Sequence, residues 1–137
     1  MSYALSEGLQ AAIYTRLTAD AELGSLVGAS IYDAVPDAAP DLFVALGQEN
    51  ARAAGDASGQ VTTHDLKVSV VTRTAGYVTA KRVAARLSDL LSNADLTLPR
   101  GRMISLRFRL ARARRDEGEV TRRIDLWFRA RLDDPAA

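Results

Sequence analysis

A chain of 137 residues, 47% hydrophobic and 26% charged, has the size and balance of one globular domain and needs neither disulfide nor metal to fold. It holds no cysteine, which excludes disulfide scaffolds, thiolate zinc sites and cysteine nucleophiles. The net charge of +1 conceals an asymmetry: residues 1–99 carry 7 Lys+Arg against 11 Asp+Glu, whereas residues 100–131 carry 11 Arg against 4 acids.

Leu5, Leu9, Ala12, Ile13 and Leu17 recur at helical spacing and predict an amphipathic helix over 5–17, with Ser2 as a candidate cap. Asp20 then reads as the N-cap of a short helical turn through Leu23 and Leu26, stopped by Gly28. Residues 31–40 read as connector, because Pro36 and Pro40 cannot donate to a ladder. Leu42 to Leu46 is a short apolar strand that Gly47 ends. Residues 48–60 hold no large apolar side chain and read as a long mobile loop. Val61 to Arg73 is a strand with Leu66, Val68 and Val70 on one face and Thr63, Asp65, Lys67 and Ser69 on the other.

Thr74 is placed to cap a helix over about 75–92, whose buried stripe is Ala80, Val83, Ala84, Leu87, Leu90 and Leu91. After a loop at 93–101, two alternating runs form an antiparallel hairpin. Ile104, Leu106, Phe108 and Leu110 alternate with Ser105, Arg107 and Arg109; Ile124, Leu126 and Phe128 alternate with Arg123, Asp125, Trp127 and Arg129. The acidic turn between them spans 116–119, and residues 132–137 read as a frayed tail. The fold class is α+β, in one domain spanning 1–137: a four-stranded, mostly antiparallel sheet with two helices packed on one face.

Chemistry is sparse. His64, the single histidine, has no cysteine to share a zinc site, and Ser69 and Asp65 point to the opposite face of its strand. Asp33, Asp37 and Asp41 flank prolines, and Asp116, Glu117 and Glu119 form a hairpin tip, so both sets read as turn acids. Gly24 and Gly28 lack the Lys-Ser/Thr of a phosphate loop. Catalytic, cofactor and metal sites are therefore not expected. No segment approaches the ~20 apolar residues of a membrane span. The N-terminal residues lack the basic and apolar regions of a secretory signal, so synthesis in the cytoplasm is expected.

A sheet covered on one side leaves its other face free. Arg107, Arg109, Arg123, Trp127 and Arg129 fall on that face. Arg and Trp are the residue types that dominate binding hot spots, which makes these five the candidate subunit-interface or lumen-facing residues.

The layout resembles the tail-terminator, or tail-completion, family of long-tailed phages and phage-like gene transfer agents. The resemblance runs through the Leu5–Leu17 helix, Leu23-Gly-Ser-Leu-Val27-Gly28, Ile31-Tyr32-Asp33-Ala-Val-Pro36, and Ala39-Pro40-Asp-Leu-Phe-Val-Ala-Leu-Gly47. It continues in His64-Asp-Leu-Lys-Val-Ser-Val70 and Arg123-Ile-Asp-Leu-Trp-Phe-Arg129. The resemblance implies a homo-oligomeric ring, usually of six subunits, on the head-proximal end of the tail tube. Such a ring stops tube polymerisation and docks a head-side connector, and DNA passes through its lumen without sequence-specific binding. The implied location is the neck of a virion or phage-like particle. Other readings are a different neck or head-closure ring, a nucleic-acid-binding protein using the Arg-rich hairpin as a β-ribbon, and a small hydrolase using acids alone.

Overall fold

Leu9, Ile13 and Leu17 line one side of helix α1 (Ser6–Thr18), and that side is buried. The computed structural model describes residues 3–55, 59–74, 76–116 and 120–136. Ser2, the candidate cap of α1, lies outside them; Leu5 occupies the cap position and makes no side-chain cap bond. Helix α2 (Ala21–Val27) follows, and here the sequence expectation holds: the Leu23 N–H donates to Asp20 Oδ2 at 2.8 Å, and Gly28 ends the helix at φ 60°. Helix α3 (Val78–Leu91) buries the expected stripe, Ala80 through Leu91. Its start is later than expected, and Thr74 does not cap it: Thr74 bonds the Thr72 hydroxyl instead, at 2.8 Å.

The strands are β1 (Ile31–Tyr32), β2 (Leu42–Ala53), β3 (Val61–Thr72), β4 (Arg102–Arg115) and β5 (Arg122–Asp133). They form one sheet in the order β1-β2-β3-β5-β4, antiparallel throughout except for the parallel β1–β2 pair. The sheet thus has five strands where four were expected, because Ile31 and Tyr32 pair with Val44 and Ala45 before the prolines intervene.

Two further expectations are corrected. Residues 48–53 are not loop: β2 continues to Ala53, pairing Glu49 with Leu66 and Ala53 with Thr62. Of the expected loop, residues 56–58 lie outside the described residues. Nor is the start of the tail frayed. Leu132 is fully buried, Asp133 ends β5, and buried Asp134 accepts a fork from Arg100 at 3.1 and 2.9 Å.

All three helices pack on one side of the sheet. Val44, Leu46, Leu66, Val68, Val70, Leu126 and Phe128 join Leu9, Leu17, Leu23, Leu87 and Leu91 in a single core. Burying each such side chain contributes ~1.5–3 kcal/mol. On the other side, Ala39 of the connector folds over Phe43 and Val71, covering one end of that face only.

Asp20 ties two helices together, since it caps α2 and also accepts Nε and Nη2 of Arg86 from α3 at 2.9 and 2.6 Å. The Arg86 bond first, then the Leu23 amide, lowers its pKa from 3.8 to about 2. A depressed carboxylate stabilises fully above its unfolded value and loses that contribution as pH falls through its folded one. The urea midpoint of Asp20→Asn is therefore expected below wild type at neutral pH, and the gap should close as pH falls from 3.8 to about 2. A gap that is constant across that window would contradict the assignment.

Candidate interaction surface

Side chains alternate across a strand, so one extra residue shifts everything beyond it to the other face. Gln48 is such a residue in β2: Gly47 pairs with Lys67 and Glu49 with Leu66, leaving Gln48 unpaired at φ 22°. Arg109 is another, in β4: Phe108 pairs with Phe128 and Leu110 with Trp127. Leu66 pairs with Phe128 and Lys67 with Trp127. The two bulges therefore fall on one line running across β2, β3, β5 and β4. A bulge bends its strand and increases its twist. Along this line the uncovered face forms an open concavity of about 810 Å³. Its lining comes from Gln48 and Asn50 on one side, Asp65, Trp127 and Arg129 in the middle, and Leu110 on the other.

The same bulge corrects the expected phase of β4. Leu106 is buried as expected, but Leu110 is 47% exposed and shares the uncovered face with Trp127, its cross-strand partner. A further irregularity between Met103 and Ser105 buries Met103 and leaves Ile104 39% exposed. Phe108 stays on the helix side, edge-to-face with Phe128 at 6.0 Å between centroids.

Of the five residues singled out from the sequence, Arg107, Arg123, Trp127 and Arg129 lie on the uncovered face by register, and Arg109 is the bulge residue at its border. Their environments differ. Trp127 is half-buried, with Lys67 Nζ 5.7 Å from its ring centroid. Arg129 donates from Nε to Asp65 Oδ1 at 2.8 Å, and Arg52 donates to Asp65 Oδ2 at 2.6 Å. Burial opposes the Asp65 charge, but these two arginines outweigh it and hold the carboxyl below its ordinary pKa. Arg123 Nε bonds Asp116 at 3.0 Å. Arg114 bridges Asp116 and buried Asp125, which also accepts the Ser69 hydroxyl at 2.6 Å. Among the described residues no carboxylate lies within ion-pair distance of Arg107, Arg109 or Arg112.

The network around His64 is closed. The ring is fully buried on the helix side. Its Nδ1 lies 3.0 Å from Glu49 Oε2 and its Nε2 3.1 Å from the Thr62 hydroxyl. A carboxylate only accepts, so Nδ1 carries the proton. Glu49 also accepts from Ser6 Oγ at 2.7 Å and from the Tyr3 hydroxyl. These bonds hold Glu49 below its ordinary pKa against the opposing effect of burial. Both ring nitrogens are thereby committed, and Ser69 bonds Asp125 on the opposite face. Among the described residues no cluster of three or more metal-ligating side chains occurs, and no helix is long and apolar enough to cross a membrane.

The family model for tail completion protein gp17 matches residues 11–133. The chain belongs to the tail completion protein family. One solved structure, described as the virion of a native gene transfer agent particle, contains a chain 50% identical to this one. The match covers 96% of this chain and 99% of that one at a TM-score of 0.91. A second solved structure, at 18% identity and a TM-score of 0.62 over 100% of this chain and 99% of its own, shares the fold. A comparison with curated proteins finds no match. For a tail completion protein, a structural component of a phage tail, the features of interest are surfaces, and the bent, uncovered face is the most distinctive one here.

Leu110, Asp65, Lys67 and the bulge residue Gln48 were not among the sequence candidates. Only the pairing register brings them beside Trp127. Removing Gln48 or Arg109 would restore a regular ladder without moving any flanking side chain to the other face, because the neighbours already pair with consecutive residues. Deleting either one is expected to keep stability within roughly 1 kcal/mol of wild type, the usual scale for a single change, as read by urea denaturation. Loss of cooperative unfolding would show instead that the bulge is needed for the fold.

Proposed function

We propose that this protein is a tail terminator: a non-enzymatic subunit that assembles as a closed ring, with six copies as the expected number, on the head-proximal end of a tail tube. There it stops tube polymerisation and joins the tail to the head-side connector. DNA passes through its lumen without sequence-specific contacts. The proposed site of action is the neck of a phage or phage-like particle.

The observation that carries this reading is the family membership together with a 50% identical chain solved within a gene transfer agent virion. The geometry supports it. A ring protomer needs a rigid body with contact surfaces left over after its own core is closed. Here the helices close one face of the sheet and leave the other bent, lined by Trp127, Leu110 and arginines. On this proposal Arg107, Arg109, Arg123, Trp127 and Arg129 face a neighbouring subunit or the lumen. The committed nitrogens of His64 support a structural rather than catalytic role.

One observation favours a second reading. Arg107, Arg109 and Arg112 have no carboxylate among the described residues, as expected of a phosphate-contacting β-ribbon. That reading predicts binding to duplex DNA that falls steeply with salt.

Light scattering of the protein alone and with the matching tail-tube protein separates the two. The terminator reading predicts a closed oligomer, or short capped tubes in the mixture, and Trp127→Ala should weaken capping roughly tenfold, a hot-spot-sized effect. A monomer that leaves tube growth unchanged and binds duplex DNA with a steep salt slope overturns it.

A further inference from the structure

The outer edge of β4 changes character at Leu106. There the Leu106 carbonyl accepts from the Asn93 N–H at 2.8 Å, so the loop after α3 covers that part of the edge. Over 107–115 no strand or loop bonds the outer side among the described residues. Beyond the bulge at Arg109 the strand is regular, and residues 110–115 pair one by one with β5. An edge with free donors and acceptors is a template for another strand. Its two sides differ, because side chains alternate. On the helix side, Phe108, Ala111 and Ala113 face Ala85 of α3 across an open groove of about 340 Å³, with buried Leu126 beneath. Ala111 and Ala113 are too small to reach the helix, so a space remains and Phe108 stays 43% exposed. On the uncovered side Arg107 and Arg112 are exposed and without an ion pair among the described residues, as is Arg109 at the bulge. Asp125, opposite Arg112, is buried and already bonded to Arg114 and Ser69.

We infer that this edge is a docking site for an extended, acidic segment of a different protein, which adds a strand to the sheet beside β4. The inference rests on the tail-terminator reading only in assigning that protein to the same particle. Alternation sets the segment's sequence. Its apolar side chains enter the groove between β4 and α3, and Asp or Glu at the intervening positions meet Arg107, Arg109 and Arg112. A second copy of this chain does not fit. Two β4 edges would set arginine against arginine, and the sheet's other edge strand, β1, is only two residues long. Duplex DNA would engage the arginines and leave both the groove and the free ladder unfilled. The arginines thus guard the edge against its own kind and select an acidic strand.

The test titrates the full-length protein with a short synthetic peptide in which Val alternates with Asp and Glu. The controls are the same peptide with Lys in place of each acid, and a short DNA duplex. The acidic peptide should bind at least about tenfold more tightly than its Lys counterpart, bind more weakly as salt rises, and slow amide hydrogen exchange over 107–115. Ala111→Glu puts bulk and negative charge in the groove, and Arg107→Glu with Arg112→Glu removes the charge match. All three positions are exposed, and unchanged circular dichroism and urea midpoints establish folding. Each variant should lose about tenfold or more in peptide affinity. Binding without slowed exchange on β4 overturns the inference, because the contact is then charge alone. Equal binding of the two peptides overturns it too, as does no binding of the acidic one at about 1 mM. A duplex that binds with a steep salt slope while the peptide does not assigns the arginines to phosphate instead. Capping of tail tubes judges the tail-terminator reading separately. Capping without peptide binding removes the docking site alone; peptide binding without capping keeps the site and removes its assignment to a tail.

Discussion

The alignment of two bulges, one in β2 and one in β4, is the constraint on which the shape of the open face depends. A single bulge at an edge would twist one strand locally. Two bulges joined by the Lys67–Trp127 and Leu66–Phe128 pairs lie on one line across the four strands, and each bends its own strand there. Helix-side packing is kept on both sides of the line, since Phe108 still meets Phe128 and Glu49 still reaches His64. On the other face Trp127, Leu110 and Lys67 come together beside the concavity. The curvature and the apolar patch thus have one cause.

Charge follows the same division. The helix side is almost wholly apolar, and its main polar cluster, around His64, is hydrogen-bonded throughout. The open face is held by arginines on carboxylates: Asp65 between Arg52 and Arg129, Asp116 between Arg114 and Arg123, Asp125 between Arg114 and Ser69. The pairs of Asp65 and Asp116 reach solvent and contribute little individually, about 0–1 kcal/mol, whereas Asp125 is buried. Their effect is to fix side-chain positions and to spend the acids of the C-terminal hairpin. Among the described residues, Arg107, Arg109 and Arg112 on β4 and Arg131 on β5 are left without an ion pair.

Much of this was legible in the residues. The period of α3, the Asp20 cap, the Gly28 stop and the alternation in β3 and β5 each follow from local rules, and each holds in the structure. What was not legible has particular causes. Gln48 to Ala53 carries no large apolar side chain because its inward positions serve Glu49, bonded to His64 and Ser6, and Ala51, opposite His64; a strand of that composition looks like a loop. The β1 pair is too short for any periodicity. In β4, the bulge at Arg109 leaves a regular-looking alternation in the sequence while shifting Leu110 from the expected core to the open face. The same bulge keeps the side of Arg107 unchanged. In the tail, Asp134 is buried in an ion pair with Arg100, a long-range contact with no local sign.

The central claim is that the bent, helix-free face is the surface this protein uses in assembly. Hydroxyl-radical footprinting reads side-chain burial directly, and it can be applied to the protein free and capping tail tubes. The account predicts that Trp127 and Leu110 lose reactivity on assembly, while Val78, 72% exposed at the start of α3 on the helix side, keeps its own. Protection of Val78 with Trp127 and Leu110 unchanged would contradict it and place the contact on the helices.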